Sequence, residues 1–198
     1  MLLRIVRVNV GIQWYLAALL VPAVFAFVSL AVNLALGAPM PGHEQWGKWP
    51  AIVDHFIFGF FFVGLGEEPG WRGYALPELQ RRRSPLAAAL LLGAAWALWH
   101  VPLWGTEFPW SVVPAFFVSV LAGSVFSAWL FNYARESVFL CMVFHAGVNS
   151  IGAGYVFQMF TGTDSLRLWR VYTIVWAAGA VLIVWLAGRA LKGFRKTG

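Results

Sequence analysis

Long apolar runs separated by short polar joints dominate the chain. A helix needs about 20 residues to cross a hydrocarbon core of about 30 Å. Six runs are candidates on that scale: Gly11 to Leu36, Ile52 to a point past Gly66, Leu86 to Trp104, Trp110 to Phe131, Val138 to Phe160 and Val171 to Leu191. The pattern predicts an all-α, polytopic integral membrane bundle of about six transmembrane helices. No internal repeat or low-complexity stretch interrupts it, and the joints are too short for linkers, so residues 1–198 read as one domain. Arg4 and Arg7 ahead of the first run look like the start of a secretory signal. That run exceeds the roughly 7 to 15 apolar residues of a signal, which predicts an uncleaved anchor.

Composition agrees with lipid as the solvent. The chain is 61% hydrophobic and 11% charged, with a mean hydropathy of +0.74. A soluble domain is about half apolar and a quarter charged, so this one could not cover itself with a water-compatible surface. Charge then orients it. With the N terminus inside, Arg4, Arg7, Arg72, Arg81, Arg82, Arg83, Arg135, Arg189, Lys192, Arg195 and Lys196 fall on the cytoplasmic side, against Lys48, Arg167 and Arg170 on the other. That bias predicts cytoplasmic termini. Together with anionic membrane lipid it accounts for the net charge of +6 and calls for no nucleic acid partner. The short loops point to a prokaryotic cell membrane. Cys141 is the single cysteine, so it forms no internal disulfide and offers no thiolate cluster for zinc.

Ionisable groups within apolar spans are the places to seek function, because each costs at least about 2.5–3.5 kcal/mol at the bilayer centre. With span ends set aside, the polar set is Glu67, Glu68 and Arg72, then His100, then His145 with Asn149. Asp54 and His55 sit near the outer end of the second span and read as boundary residues. Counted from the cytoplasmic anchors at about 1.5 Å per residue, Glu67, His100 and Asn149 each lie about 21 Å up and His145 about 15 Å. Three separate helices thus place polar groups in one layer. Pro69 and the glycines at 64, 66, 70 and 73 predict a kink or helix restart near Glu68. Irregular backbone at that depth predicts a hydrated cavity beside it.

Each group has a bland reading beside a chemical one. Glu68 precedes Arg72 by four residues, the spacing of a same-face ion pair, which is either structural or a brace that leaves Glu67 free to exchange a proton. His100 alone reads more readily as a packing histidine than as a ligand. His145 and Asn149 share a helix face, as interhelical glue or as donors aimed at an oxyanion. Taken together, an acid, two imidazoles and an amide in one layer can activate water and steady a tetrahedral intermediate. Ser124, Ser127 and Ser150 read as helix-packing residues rather than nucleophiles.

The ordered set Glu67-Glu68…Arg72, Trp96…His100 and His145…Asn149 resembles the CPBP family of CAAX prenyl endopeptidases and bacteriocin-processing or immunity proteins. The likeness covers about residues 55–155. It implies that Glu67 is the catalytic base, acting on water with His100, that His145 and Asn149 form the oxyanion site, and that Glu68 and Arg72 support the geometry. Family members are widely labelled metallopeptidases, so a zinc site of Glu67, His100 and His145 with water as fourth ligand is the alternative to direct activation. Trp96 stands where phenylalanine is common, and six spans are fewer than the eight of some members. The resemblance implies a peptide or protein substrate, of CAAX or leader-peptide type and in some cases lipidated, cut near the cytoplasmic face from which the layer is counted. The competing readings are a non-catalytic immunity or scaffold protein that retains the motif, and a proton-coupled transporter.

Overall fold

A computed structural model describes residues 2–191. Lys192, Arg195 and Lys196, included in the charge bias above, lie outside the described residues. Six helical segments follow one another up and down: α1 (Ile12–Ala35), α2 (residues 51–80), α3 (Pro85–Trp99), α4 (Val113–Tyr133), α5 (Val138–Met159) and α6 (Gly162–Ala187). Among the described residues there is no β-strand, and the chain is an all-α polytopic membrane bundle. Helices α1, α4, α5 and α6 are each long and apolar enough to cross a membrane. α2 is longer still but carries Asp54, Glu67 and Glu68, and α3 is shorter.

Three boundaries depart from the hydrophobic pattern, each for a local reason. α2 neither breaks nor restarts at Pro69. It runs on through the proline, with wide π-type turns at Gly59–Gly64 and Trp71–Ala75 on either side of Leu65–Gly70. Wide turns of this kind absorb a missing backbone donor without ending a helix. α3 stops at Trp99, five residues before the end of its apolar run, with His100 as its C-cap. Pro102, which has no N–H to continue the helix ladder, is the middle residue of the short turn Val101–Leu103. α6 starts earlier than its apolar run, at Gly162, and ends where Gly188 takes φ 67°, the usual glycine stop.

α5 is the centre of the bundle. From Leu140 to Gly147 every residue is buried, and α1, α2 and α4 all pack against it. α6 lies against α1 and α4, and α3 against α4. Glycine sets the closest approaches. A Cβ on Gly64 would stand 3.2 Å from Met142 Cβ, and one on Gly93 only 2.8 Å from Ser124 Cβ. Ser124 uses that closeness to donate to the Ala89 carbonyl at 2.8 Å, which locks α4 to α3.

The two ends of the bundle differ in charge. At one end Arg4 bonds Glu136 at 2.8 Å, Arg135 donates to the Asn9 carbonyl at 3.2 Å, and Leu86 N–H meets the Arg189 carbonyl at 3.2 Å. Arg81, Arg82 and Arg83 form the α2–α3 turn at this same end. At the other end Arg167 donates to Asn33 at 2.8 Å and the Tyr155 hydroxyl to the Trp46 carbonyl at 2.9 Å. Arg72 is removed from the cytoplasmic count, because it is fully buried within the bundle rather than at its arginine-rich end. Its pairing with Glu68 one turn away was legible from the spacing, and only its nearness in sequence to Arg81 placed it in that count.

Candidate active site

α2 carries Glu67, Glu68 and Arg72, α3 carries Trp96 and ends against His100, and α5 carries His145 and Asn149. The i,i+4 spacing brings the first pair together, and Arg72 Nη1 donates to Glu68 Oε1 at 2.8 Å. At 0% and 1% exposure, neither charge has solvent to stabilise it, so each depends on the other. The same Glu68 oxygen lies 2.9 Å from His145 Nδ1, across the α2–α5 seam that Gly64 keeps narrow. A carboxylate only accepts, so Nδ1 carries the proton and Nε2 is left as the free nitrogen of the ring.

Trp96 joins the two acids. Its indole N–H donates to Glu67 Oε2 at 2.8 Å, while the Arg72 guanidinium carbon lies 4.4 Å from its ring centroid, in cation–π contact. The ring also meets the His145 imidazole edge-on, with centroids 5.1 Å apart. His100 Nδ1 is 2.8 Å from the Trp96 carbonyl. Since a carbonyl only accepts, that nitrogen is also the protonated one, and Nε2 holds the lone pair of the neutral ring. Among the described residues, Asn149 makes no side-chain hydrogen bond.

Glu67, Trp96, His100, His145 and Asn149 all line one cavity of about 540 Å³, a size typical of ligand pockets at about 300–1,000 Å³. Phe108, Phe116, Phe157, Trp169 and Tyr172 give it an aromatic wall. Glu68 and Arg72 are not on its surface but sit behind His145 and Trp96. Of the six residues singled out from the sequence, four therefore share the cavity and two brace them. The shared face of His145 and Asn149 survives a change of helix type, since the turns from Val148 onward are π-helical. Phe144, Ser127 and Trp176 are among its buried lining residues, and His55, Phe58, Glu107, Ala153 and Gln158 are its exposed ones. His55, read from the sequence as a boundary residue, is part of that exposed lining.

The residue that sequence reasoning undervalued is Trp96. It stood out only as an aromatic replacing a phenylalanine, yet a tryptophan inside an apolar helix brings an N–H that needs a partner. Four residues before a histidine and 29 after a glutamate in the same layer, that donor was the available signal.

Glu67, His100 and His145 are also of the side-chain types that bind zinc. Hydrogen bonds on both Nδ1 atoms are compatible with metal-bound histidine, so the spacing decides. Among the described residues no three His, Cys, Asp or Glu side chains gather closely enough to hold a metal ion. As placed, the donor set does not fit zinc.

Comparison with known proteins covers the same stretch. Residues 48–151 match the family model of the Rce1-like type II CAAX prenyl endopeptidases. A CAAX prenyl protease 2 of Methanococcus maripaludis is 30% identical over 66% of this chain and 52% of its own length. Two UPF0314 proteins of Rhizobium etli are each 29% identical over 68% of this chain and 65% of theirs. The chain thus spans about half the length of the archaeal relative. All seven residues of the site fall within the matched stretch.

Proposed function

The chain belongs to the Rce1-like type II CAAX prenyl endopeptidase family, and from that membership we propose that it is an intramembrane endopeptidase that hydrolyses a peptide bond of a membrane-associated substrate with an activated water. The observation that carries the reading is the convergence of Glu67, His100, His145 and Asn149, from separate helices, on one cavity. Glu67 takes a proton from water, with the lone pair of His100 Nε2 holding or sharing that proton. The hydroxide formed attacks the scissile carbonyl carbon, and the carbonyl oxygen becomes an oxyanion. The Asn149 amide N–H and, when the ring is charged, His145 Nε2–H donate to that oxyanion. Glu67 then returns the proton to the leaving amine, which completes hydrolysis.

The bracing residues explain how the geometry holds. Glu68 fixes the His145 ring through Nδ1, Arg72 holds Glu68, and Trp96 stacks on Arg72 while it orients Glu67. The aromatic wall favours a substrate with bulky apolar groups beside the scissile bond, whether side chains or an attached lipid. The archaeal relative bears the name of a CAAX prenyl protease, so prenylated and unprenylated peptides are both apt probes.

The test is cleavage of a quenched-fluorescent peptide panel by protein in detergent. Glu67→Gln and His100→Ala should each lose cleavage by about 10²–10⁴-fold, the usual contribution of a general base, with melting temperatures near that of the parent protein. Undiminished cleavage in either variant rejects these roles. If Glu67→Gln retains full biological protection in cells, the non-catalytic immunity or scaffold reading replaces this one.

A further inference from the structure

Tyrosine and tryptophan in membrane helices collect at the two interfaces, where the polar edge of the ring meets water. Tyr172 and Trp176 stand elsewhere. Counted from Gly162, they lie about 15 and 21 Å along α6, a helix of about 39 Å, and they are only 5% and 1% exposed. Both line the cavity. The Trp176 indole N–H is directed at the Tyr172 hydroxyl but falls outside hydrogen-bond geometry and has no other partner. An indole only donates, so the phenol proton finds no acceptor there, nor on any other described residue. Buried polar groups left in this way cost free energy that phenylalanine would not. The phenol oxygen is also set close to α5: a Cβ on Gly152 would stand 3.3 Å from it. Gly152 is less than one turn past Asn149 on the same π-helical segment. Ring contacts fix the direction of the phenol, which meets Phe157 and Trp176 edge-on with centroids 5.1 and 5.8 Å apart.

We infer that Tyr172 is a substrate-binding residue, whose hydroxyl donates to a backbone carbonyl of the bound peptide within two residues of the scissile bond, with the Trp176 indole behind it. What the pair lacks is an acceptor, and a peptide backbone offers one at every residue, whereas a hydrocarbon chain offers none. In the peptidase reading Asn149 serves the scissile carbonyl itself. Successive residues of an extended peptide are about 3.3 Å apart, so a donor less than one helical turn from Asn149 meets the next carbonyl or the one after it. Once the phenol proton is accepted, the phenol oxygen becomes a better acceptor for the indole, and both donors are satisfied together. Both residues lie beyond the stretch 48–151 that matches the family model, and neither belongs to the motifs that place Glu67, His100 and His145. The inference deepens the peptidase reading and rests on it for the scissile bond.

Tyr172→Phe keeps the ring and removes the hydroxyl alone. Binding of a fluorescent peptide to the uncleaving Glu67→Gln protein in detergent, followed by anisotropy, reads its effect apart from turnover. Adding Tyr172→Phe should raise Kd by roughly 2–10-fold, the worth of one neutral hydrogen bond, with Tm unchanged. In a series of peptides whose carbonyls are replaced one at a time by CH2, one position within two residues of the scissile bond should abolish the difference between the two proteins. A merely structural tyrosine would show no such position. Gly152→Ala, which crowds the hydroxyl, should raise Kd by itself and add little to Tyr172→Phe. An unchanged Kd in Tyr172→Phe, a difference that persists through the whole peptide series, or no peptide binding at all overturns the inference. Cleavage of the same peptides by the parent protein decides the peptidase reading separately: if none is cleaved, that reading fails, while a Kd that still depends on the hydroxyl and on one carbonyl upholds Tyr172 as a peptide-binding residue.

Discussion

At the scale of single residues, the site is a chain of contacts with Trp96 in the middle. Glu67 and Glu68 are adjacent in sequence but have separate partners: one accepts from an indole at 2.8 Å, the other from a guanidinium at the same distance. That division of labour lets neighbouring acids differ in role, with Glu68 enclosed as a brace and Glu67 open to the cavity. Trp96→Phe keeps an aromatic face over Arg72 but removes the N–H together with the five-membered ring that carries it. A hydrogen bond to a charged group contributes about 1.5–3 kcal/mol, so kcat/KM should fall by about tenfold or more, mostly through kcat, while the lost ring volume lowers Tm. An unaltered rate would mean that Glu67 is held in place by something other than the indole. Trp96 also shows what was hidden in the sequence, where the i,i+4 pair Glu68–Arg72 was legible but a contact across 29 residues was not.

At the scale of elements, the positions of α2, α3 and α5 depend on small residues at their seams. Lipid tails are as apolar as the side chains, so helices in a membrane gain from close backbone approach rather than from apolar burial. Gly93 is the tightest case on α3, three residues before Trp96. Gly93→Ala would set a methyl 2.8 Å from Ser124 Cβ and push α3 outward. Overpacking of this kind typically costs about 1–3 kcal/mol, so Tm should drop, and activity with it as Trp96 and His100 move. Gly70→Ala is the control: no atom lies within 4 Å of the new methyl, and thermal unfolding should be little changed. Equal behaviour of the two variants would refute the packing account. The wide turns of α2 belong to this scale too, since proline and glycine content announced a disturbance near Glu68 while the unbroken helix depended on neighbours that cover it.

At the scale of the whole molecule, one short helix stands beside five longer segments around the cavity. The bundle brings an acid and two imidazoles to a common cavity without gathering three metal donors. Peptide cleavage by purified protein should therefore survive chelation, and elemental analysis of active protein should find zinc well below one atom per chain. Chelator-sensitive activity restored by zinc would show that the donor set closes around a metal on substrate binding.

Apolar runs and turn residues determined by themselves that this chain is a helical membrane protein, because the lengths of those runs and the cost of unpaired backbone in lipid leave few alternatives. They also marked the residues of the polar layer, since ionisable groups in such runs are rare and expensive. Tertiary structure alone decided that α3 ends at His100, that Trp96 donates to Glu67, that Arg72 is buried, and that Glu67, His100, His145 and Asn149 line one cavity. These are contacts between helices distant in sequence, and a periodicity local to one helix carries no information about the partner that faces it.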